Sequence, residues 1–392
     1  MEPGSRGADG LGGRLGRMVQ NLIDSGPMLR EASSSGNLRV LAQLLGPAFR
    51  GLVAQRAKGV AGVKMPASHD AYFDLAYSRG FPEMAKLYEA AKTSQWNAST
   101  DIDWSIDVDP FNPEKPLIPD TFLPVSQIPS WGTLTERERN VQRHALLSWM
   151  LSQFLHGEQG ALFAAAQVTE AVPWLDGKLY GSTQVVDEGR HVEVFHHYLT
   201  KKLEKLYEIN DNLYVVIDAL MTDSRWDVKF LGMQIMIEGL ALGAFGTIRQ
   251  VTKEPLLRDL LGYVIKDEAR HVHYGVLALR QYYVEQGQAT REREDWAYEV
   301  SVLFRNRFLV HEFYDEFYGH LMTRRQWDKL VIESPLMVFF RRTMFRRILP
   351  NLKRIGLLSD RIRPHYAAIG LLEYESGKAA HELTAQDLLD DT

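Results

Sequence analysis

The sequence predicts an all-α protein, a four-helix bundle with further helices before and after it. Three observations lead there. No stretch sustains the period-two alternation of apolar and polar residues that a half-buried strand needs. Long segments with helical apolar spacing are bounded by capping residues and prolines. One short motif occurs twice, 80 residues apart, and each copy has a helix breaker at or beside its midpoint.

Residues 1–68 mix Gly and Ser with short apolar stretches at 40–45 and 52–63, and read as a frayed start with one or two peripheral helices. Residues 69–132 read as a helix over about 69–92, kinked near Gly80 and Pro82, followed by an extended covering segment. That segment holds Pro110, Pro113, Pro116, Pro119, Pro124 and Pro129, with aromatic anchors at Trp104, Phe111, Phe122 and Trp131. A loop of this length suits a covering or binding role.

Residues 133–286 are expected to form the bundle. Thr133 or Thr135, each followed three residues later by Glu136 or Glu138, opens the first helix with a capping-box pattern, and Pro173 ends it. A second helix is expected over about 179–207, a short one over 213–222, a third over 227–252, and a fourth from Pro255 to about 285. Residues 287–358 supply additional helices packed on the bundle, over about 291–321 and 325–355, the latter bent at Pro335. Residues 359–392 form a tail that ends acidic (Asp387, Asp390, Asp391) and is expected to be mobile.

Composition narrows the chemistry. Of 392 residues, 45 are Lys or Arg and 50 are Asp or Glu, a net charge of −5, so there is no basic excess of the kind that marks a nucleic-acid partner. There is no cysteine. Disulfides, thiolate zinc sites, Cys-ligated iron–sulfur clusters and Cys nucleophiles are all excluded, and any metal must be held by oxygen and nitrogen. No run of about 18 apolar residues predicts a membrane span. The Gly-rich stretch 1–17 lacks the apolar core of a secretory signal, so a soluble, cytoplasmic protein is expected.

The repeat carries the chemistry. Asp187-Glu188-Gly189-Arg190-His191-Val192 and Asp267-Glu268-Ala269-Arg270-His271-Val272 share Asp-Glu-x-Arg-His-Val. Thirty residues before each motif Glu stands another, Glu158 and Glu238, so Glu-x29-Glu-x-x-His occurs twice on predicted helices. Residues i and i+3 share a helix face, so Glu188 projects beside His191, and Glu268 beside His271. The midpoints of the two Glu–Glu spans are Pro173 and position 253, next to Pro255. An antiparallel hairpin folded there returns the second Glu of each pair to the depth of the first, since both arms rise about 1.5 Å per residue.

Two such hairpins packed face to face bring four carboxylates and two imidazoles to one point. Buried together, the carboxylates would repel one another and take up protons. Two divalent cations remove that repulsion, and one Glu from each of two helices plus Glu-x-x-His from each of the other two is a di-metal carboxylate arrangement. A lone Glu-x-x-His is usually a solvated face; six positions at matched spacing among apolar neighbours are not. His144, His196, His197 and His273 read as ordinary histidines. Asp187 and Asp267 are each expected to orient the His of the opposite hairpin, with Arg190 and Arg270 neutralising the added charge.

On these residues the chain resembles the ferritin-like di-iron carboxylate superfamily over about 135–285. The doubled Asp-Glu-x-Arg-His is most similar to the hydroxylase subunits of bacterial multicomponent monooxygenases. Related motifs occur in ribonucleotide reductase small subunits and acyl-carrier-protein desaturases. Asp101-Ile102-Asp103-Trp104 with its Pro-rich continuation resembles the stretch before the bundle in p-aminobenzoate N-oxygenase-type proteins. The departures matter as well. The radical Tyr of the reductase subunits would fall at Phe195. The Thr of the monooxygenases or desaturases would fall at Leu242 or Ala241, and the third His of the N-oxygenases at Val264. No single subfamily matches throughout.

The resemblance implies an O2-activating oxidoreductase of monooxygenase or oxidase type, with Glu158, Glu188, His191, Glu238, Glu268 and His271 holding two Fe ions, or Mn and Fe, which accept the same ligands. It implies an aromatic, amine or acyl substrate. Ala161 beside Glu158 leaves room for a pocket, with Phe195, Leu242 and Phe245 as an apolar wall; the same residues also suit close helix packing. Two other readings stand beside this one: a ferroxidase or iron-handling protein, and a radical-generating or Mn/Fe ligand-binding oxidase subunit. No dinucleotide fingerprint is present, so a separate reductase or ferredoxin is expected to supply electrons. Arg341, Arg342, Arg346, Arg347, Lys353 and Arg354 offer either a docking face for it or a solvated helix face. A homodimer is compatible with all of this.

Overall fold

A computed structural model describes residues 11–24, 35–307 and 309–383. Among them there is no β-strand. Helix α1 (Leu11–Asp24) and α2 (Leu38–Ala48), continued by a π turn over Phe49–Val53, precede the bundle. Helix α3 is Pro82–Thr93. The helix expected from residue 69 therefore begins at Pro82, which occupies the first turn, where its missing N–H costs nothing, and initiates the helix rather than kinking one. The stretch before it is irregular and ties its backbone to the end of the first bundle helix, Tyr72 N–H donating to Glu170 O at 2.8 Å. The Pro-rich segment that follows contains only three short 3-10 turns, yet Leu117, Ile118, Leu123 and Val125 are buried.

Four long helices make the bundle: α4 (Glu136–Ala171), α5 (Leu175–His197, extended by a π turn over Tyr198–Lys202), α7 (Trp226–Val251) and α8 (Pro255–Arg280, extended by a π turn over Gln281–Glu285). The short α6 (Asp211–Thr222) crosses between the hairpins. Thr135 is the N-cap of α4: its Oγ1 accepts from Glu138 N–H at 3.3 Å, and Glu138 Oε2 accepts from Thr135 N–H at 2.7 Å. The second helix begins at Leu175, earlier than expected, because only Val172, Pro173 and Trp174 form the turn. Helix α7 is interrupted by a π turn over Leu231–Ile237, directly before Glu238. It is long and apolar enough to cross a membrane by composition, and its most apolar stretch is buried inside the protein.

Small residues set how closely the bundle helices approach. A Cβ on Gly181 of α5 would lie 2.3 Å from Thr169 Oγ1 of α4, and one on Gly275 of α8 would lie 2.6 Å from Gln234 Cβ of α7. Only Gly fits at such contacts.

The C-terminal region divides more finely than the sequence suggests. Instead of two helices it holds α9 (Arg291–Arg307), α10 (His311–Phe317), α11 (Arg324–Glu333) and α12 (Pro335–Arg354). Pro335 does not bend a continuous helix. Ser334 caps α12 by accepting from Met337 N–H, and Pro335 takes its first position. Helix α12 lies along α7, with Thr343 beside Gly243 and Ile348 beside Gly239. The tail is not loose as far as it is described. It forms α13 (Arg363–Ala368) and then returns to α12, where Ala380 N–H donates to Asn351 Oδ1 at 2.8 Å and Leu371 and Ala379 are buried. The acidic end at Asp387, Asp390 and Asp391 lies outside the described residues.

Candidate metal centre

Each bundle helix turns one carboxylate inward at the same level. Helix α4 supplies Glu158, α5 supplies Glu188 and His191, α7 supplies Glu238, and α8 supplies Glu268 and His271. All six are buried, Glu158 being the most accessible at 4%. His191 Nδ1 lies 3.2 Å from Glu158 Oε2, 3.4 Å from Glu188 Oε2 and 3.1 Å from Glu268 Oε1. His271 Nδ1 lies 3.1 Å from Glu188 Oε1 and 3.6 Å from Glu268 Oε2. One donor atom from each of Glu158, Glu188, His191 and Glu268 falls within 4.8 Å of the others, and the same holds for Glu188, Glu238 and His271. The two groups share Glu188, and Glu268 also approaches His271.

Behind the imidazoles the hairpins cross-pair. His191 Nε2 meets Asp267 Oδ2 at 3.2 Å, and His271 Nε2 meets Asp187 Oδ2 at 3.2 Å. An ionised carboxylate only accepts, so each Nε2 carries a proton and each Nδ1 is the ring nitrogen turned to the centre, where its lone pair would serve a cation. Arg190 pairs with Asp187 and reaches Asp267 at 3.2 Å; Arg270 pairs with Asp267 and reaches Asp187 at 3.5 Å. Two Asp and two Arg thus form a charge-balanced belt around the His pair.

The electrostatics show what the cluster lacks. Burial, and then the charge of Glu268, push the Glu158 carboxyl well above the ordinary carboxylate range. Burial, followed by Glu268 and Glu188, does the same to Glu238. Burial also acts to raise Glu188, but His271 and His191 outweigh it and hold this carboxyl below its usual value. Burial disfavours charged imidazoles, yet the carboxylates around them raise both, with Asp267 foremost for His191 and Glu188 for His271. Glu188 Oε2, Glu238 Oε2, both oxygens of Glu268 and His271 Nδ1 are buried without a well-aligned hydrogen bond; all but Glu238 Oε2 have only imidazole–carboxylate approaches of 3.1–3.6 Å. Buried polar atoms are ordinarily paired, so this concentration at one point asks for a ligand. Four carboxylates and two imidazole nitrogens, with no sulfur, form an oxygen-rich set that fits two first-row divalent cations such as Fe and Mn.

Three further residues at the centre escape a motif-based reading. Gln184 bridges Glu188 and Glu238 through its amide N–H groups. It stands one helical turn before Glu188, a spacing that could have revealed it. Trp96 Nε1 donates to Asp267 Oδ2 at 2.7 Å, and the Arg190 guanidinium lies over its ring. Gln95 Oε1 accepts from Arg190 at 2.5 Å. These two come from the irregular segment after α3, where no periodicity points at the bundle. Asp267→Asn is expected to keep the fold and weaken metal retention by about 10–100-fold, because His191 loses the partner that orients it. Metal content after graded dialysis checks this, and unchanged retention would place Asp267 outside the centre.

An apolar cavity of about 100 Å³ reaches Glu158, Glu238 and Glu268. It runs between α4 and α7, past Phe154, Gly157, Ala161, Ala241 and Ala244, to Phe340 and Met337 of α12. Ala161 lines it as expected from the sequence. Phe195, Leu242 and Phe245 do not: Phe195 and Phe245 stack on each other at 5.6 Å in the core, and Leu242 is buried outside the lining. Successive helix residues turn by about 100°, so Leu242 points well away from its neighbour Ala241, whereas Phe245 lies near the azimuth of Ala241 and is held out of the lining by its packing on Phe154 and Phe195. The six basic residues of α12 do not form one face either. Arg347 is buried and Arg341 donates to Ile332 O at 2.8 Å, while Arg342, Arg346, Lys353 and Arg354 are exposed.

No protein-family model matches the chain, and no curated protein matches it. Among solved structures, the chain is similar to one described as a mutant of an R2-like ligand-binding oxidase with an anaerobically reconstituted Mn/Fe cofactor, at 20% sequence identity and a TM-score of 0.45, over 74% of this chain and 99% of that one.

Proposed function

We propose that this protein is a di-metal oxidoreductase that uses O2 to oxidise an apolar organic substrate. One observation carries the reading: a buried cluster of four carboxylates and two imidazoles, five of its atoms without a well-aligned hydrogen bond, presents Glu158, Glu238 and Glu268 to an apolar cavity. Bound there, two redox-active cations, Fe/Fe or Mn/Fe, would supply the electrons that reduce O2.

The protein's own part is to hold, orient and exclude. Glu158, Glu188, His191 and Glu268 form one position, and Glu188, Glu238 and His271 the other. Asp187 and Asp267 hold the His tautomers, and Arg190 and Arg270 balance those carboxylates. The cavity keeps bulk water from the three glutamates it touches. From Glu158 to Leu146, both of which line it, α4 rises about 18 Å, which suits an elongated acyl or aromatic substrate entering end-on. Apart from those glutamates its wall carries no charge, so nothing along its length would select a cationic amine. Electrons for repeated turnover come from a separate reductase or ferredoxin.

The test is anaerobic Fe(II) loading followed by an O2 pulse, with metal counting, Mössbauer spectroscopy and stopped-flow absorbance. The expected result is two irons per chain, oxidised together through a transient absorbance that apolar substrates quench. Oxidation without a transient, with mineral growing on repeated additions, would instead support a ferroxidase. Fewer than two metals per chain would overturn the di-metal reading.

A further inference from the structure

We infer that the two cation positions are unequal and fill in order, and that Gln184 is the positioning residue on which the second depends. This rests on the di-metal reading above. The ligands themselves are matched across the 80-residue offset, as are Asp187 with Asp267 and Arg190 with Arg270. Their surroundings are not. The counterpart of Gln184 is Val264, and the counterpart of Gln234 is Phe154. A buried amide pair thus stands in one half where the other half has apolar side chains.

That pair is engaged with the ligands. Gln184 Nε2 donates to Glu188 Oε1 at 3.0 Å and to Glu238 Oε1 at 2.9 Å, so one amide ties a carboxylate from each hairpin. Gln184 Oε1 accepts in turn from Gln234 Nε2 at 3.4 Å. Gln234 lies within the π turn over Leu231–Ile237, and α4 has no π turn over the equivalent stretch before Glu158. Both amides are fully buried. Val264 offers no donor to Glu158, whose Oε2 contacts His191 instead.

The donor sets differ in the same sense. The first position has four groups already within reach of one another, three of them carboxylates, whereas the second has three, of which two are carboxylates. The first cation therefore meets a set assembled around His191 by Glu158, Glu188 and Glu268. The second needs Glu238, and among the described residues the hydrogen bond to that carboxylate comes from Gln184. With Oε1 fixed by the amide, Glu238 is left with a single unpartnered oxygen, Oε2. A neutral amide orients the carboxylate without adding charge to a centre that already carries four. Removing a hydrogen-bond partner from a ligating group typically lowers metal affinity by about 10–100-fold. Gln184→Met, nearly the same size but without a donor, is expected to weaken the second position by about that factor and the first only slightly.

The experiment is an anaerobic Mn(II) titration of the full-length protein, followed by calorimetry and by electron paramagnetic resonance at one and two equivalents. The wild type is expected to bind in two resolved steps, with an isolated-ion spectrum after the first equivalent and a coupled pair after the second. In Gln184→Met the second step alone weakens. A single step with coupled pairs from the start would overturn the inference, as would equal weakening of both steps. A thermal melt of the metal-free variant by circular dichroism reports its folding, and the wild-type titration decides the order of filling whether or not the variant folds. Absence of bound Mn(II) from the wild type would overturn the di-metal reading itself, and this inference with it.

Discussion

Glu238→Ala is expected to lower bound metal from two ions per chain to one. Glu238 belongs only to the second group of donors, and without it Glu188 and His271 remain there. The first group, Glu158, Glu188, His191 and Glu268, is untouched. The metal-free fold should not suffer, because burial and two neighbouring carboxylates already hold the Glu238 carboxyl above its usual range, and removing it relieves that repulsion. Gln184 loses one acceptor and retains Glu188. Elemental analysis after gel filtration, with a circular dichroism melt of the metal-free protein, gives both numbers. Full retention of two metals would remove Glu238 from the ligand set. Glu188→Ala is the contrast: Glu188 belongs to both groups, so its loss should empty both positions.

Gly157→Leu should abolish turnover of elongated substrates, by about a hundredfold or more, while leaving metal content unchanged. Gly157 lines the cavity one residue before Glu158, and a Cβ built on it meets no atom within 4 Å. The leucine side chain therefore grows into free volume rather than into packed neighbours, in contrast to Gly181 or Gly275. Gly157→Ala is the control. It adds one methyl to the cavity and replaces a mid-helix glycine, so it should stabilise the protein by about 0.5–1 kcal/mol. Thermal unfolding and steady-state turnover on a series of acyl chains separate the two effects. If Gly157→Leu turns over long chains as the wild type does, the substrate reaches the centre by another path.

How much is legible in the sequence follows from the kind of information each feature uses. Helix starts and stops are local. Thr135 with Glu138, Pro82, Ser334 with Pro335, and Pro255 act through their own backbone hydrogen bonds, so the elements can be placed within a few residues. Even there, Pro82 and Pro335 read as kinks in longer helices and turn out to start helices, because a proline in the first turn and one in the middle look alike without the capping geometry. The π turn before Glu238 has no sequence signature and changes which side chains face inward around it.

The pocket wall shows where local reading stops. Phe195, Leu242 and Phe245 are apolar and close in sequence to the six clustered Glu and His residues, as a wall would be, and they pack into the core instead. Which apolar residue lines a void depends on where two helices fail to touch, and that distance is set by both helices together with α12. Trp96 and Gln95 reach the centre from an irregular segment with no periodicity. The packed tail is unreadable for the same reason, since its partner Asn351 lies on another helix.

What the sequence determined by itself is the identity of the six side chains that meet and the level at which they meet. A helix converts residue spacing into length at a constant rise, and two hairpins of equal arm length must return their glutamates to one depth. What only the tertiary structure decided is the inequality around that symmetric set: the amide on one half, the cavity along α4 and α7, and the aromatic and arginine belt behind the imidazoles. These depend on rotation and separation between helices, which side chains settle jointly by filling space and pairing buried polar groups.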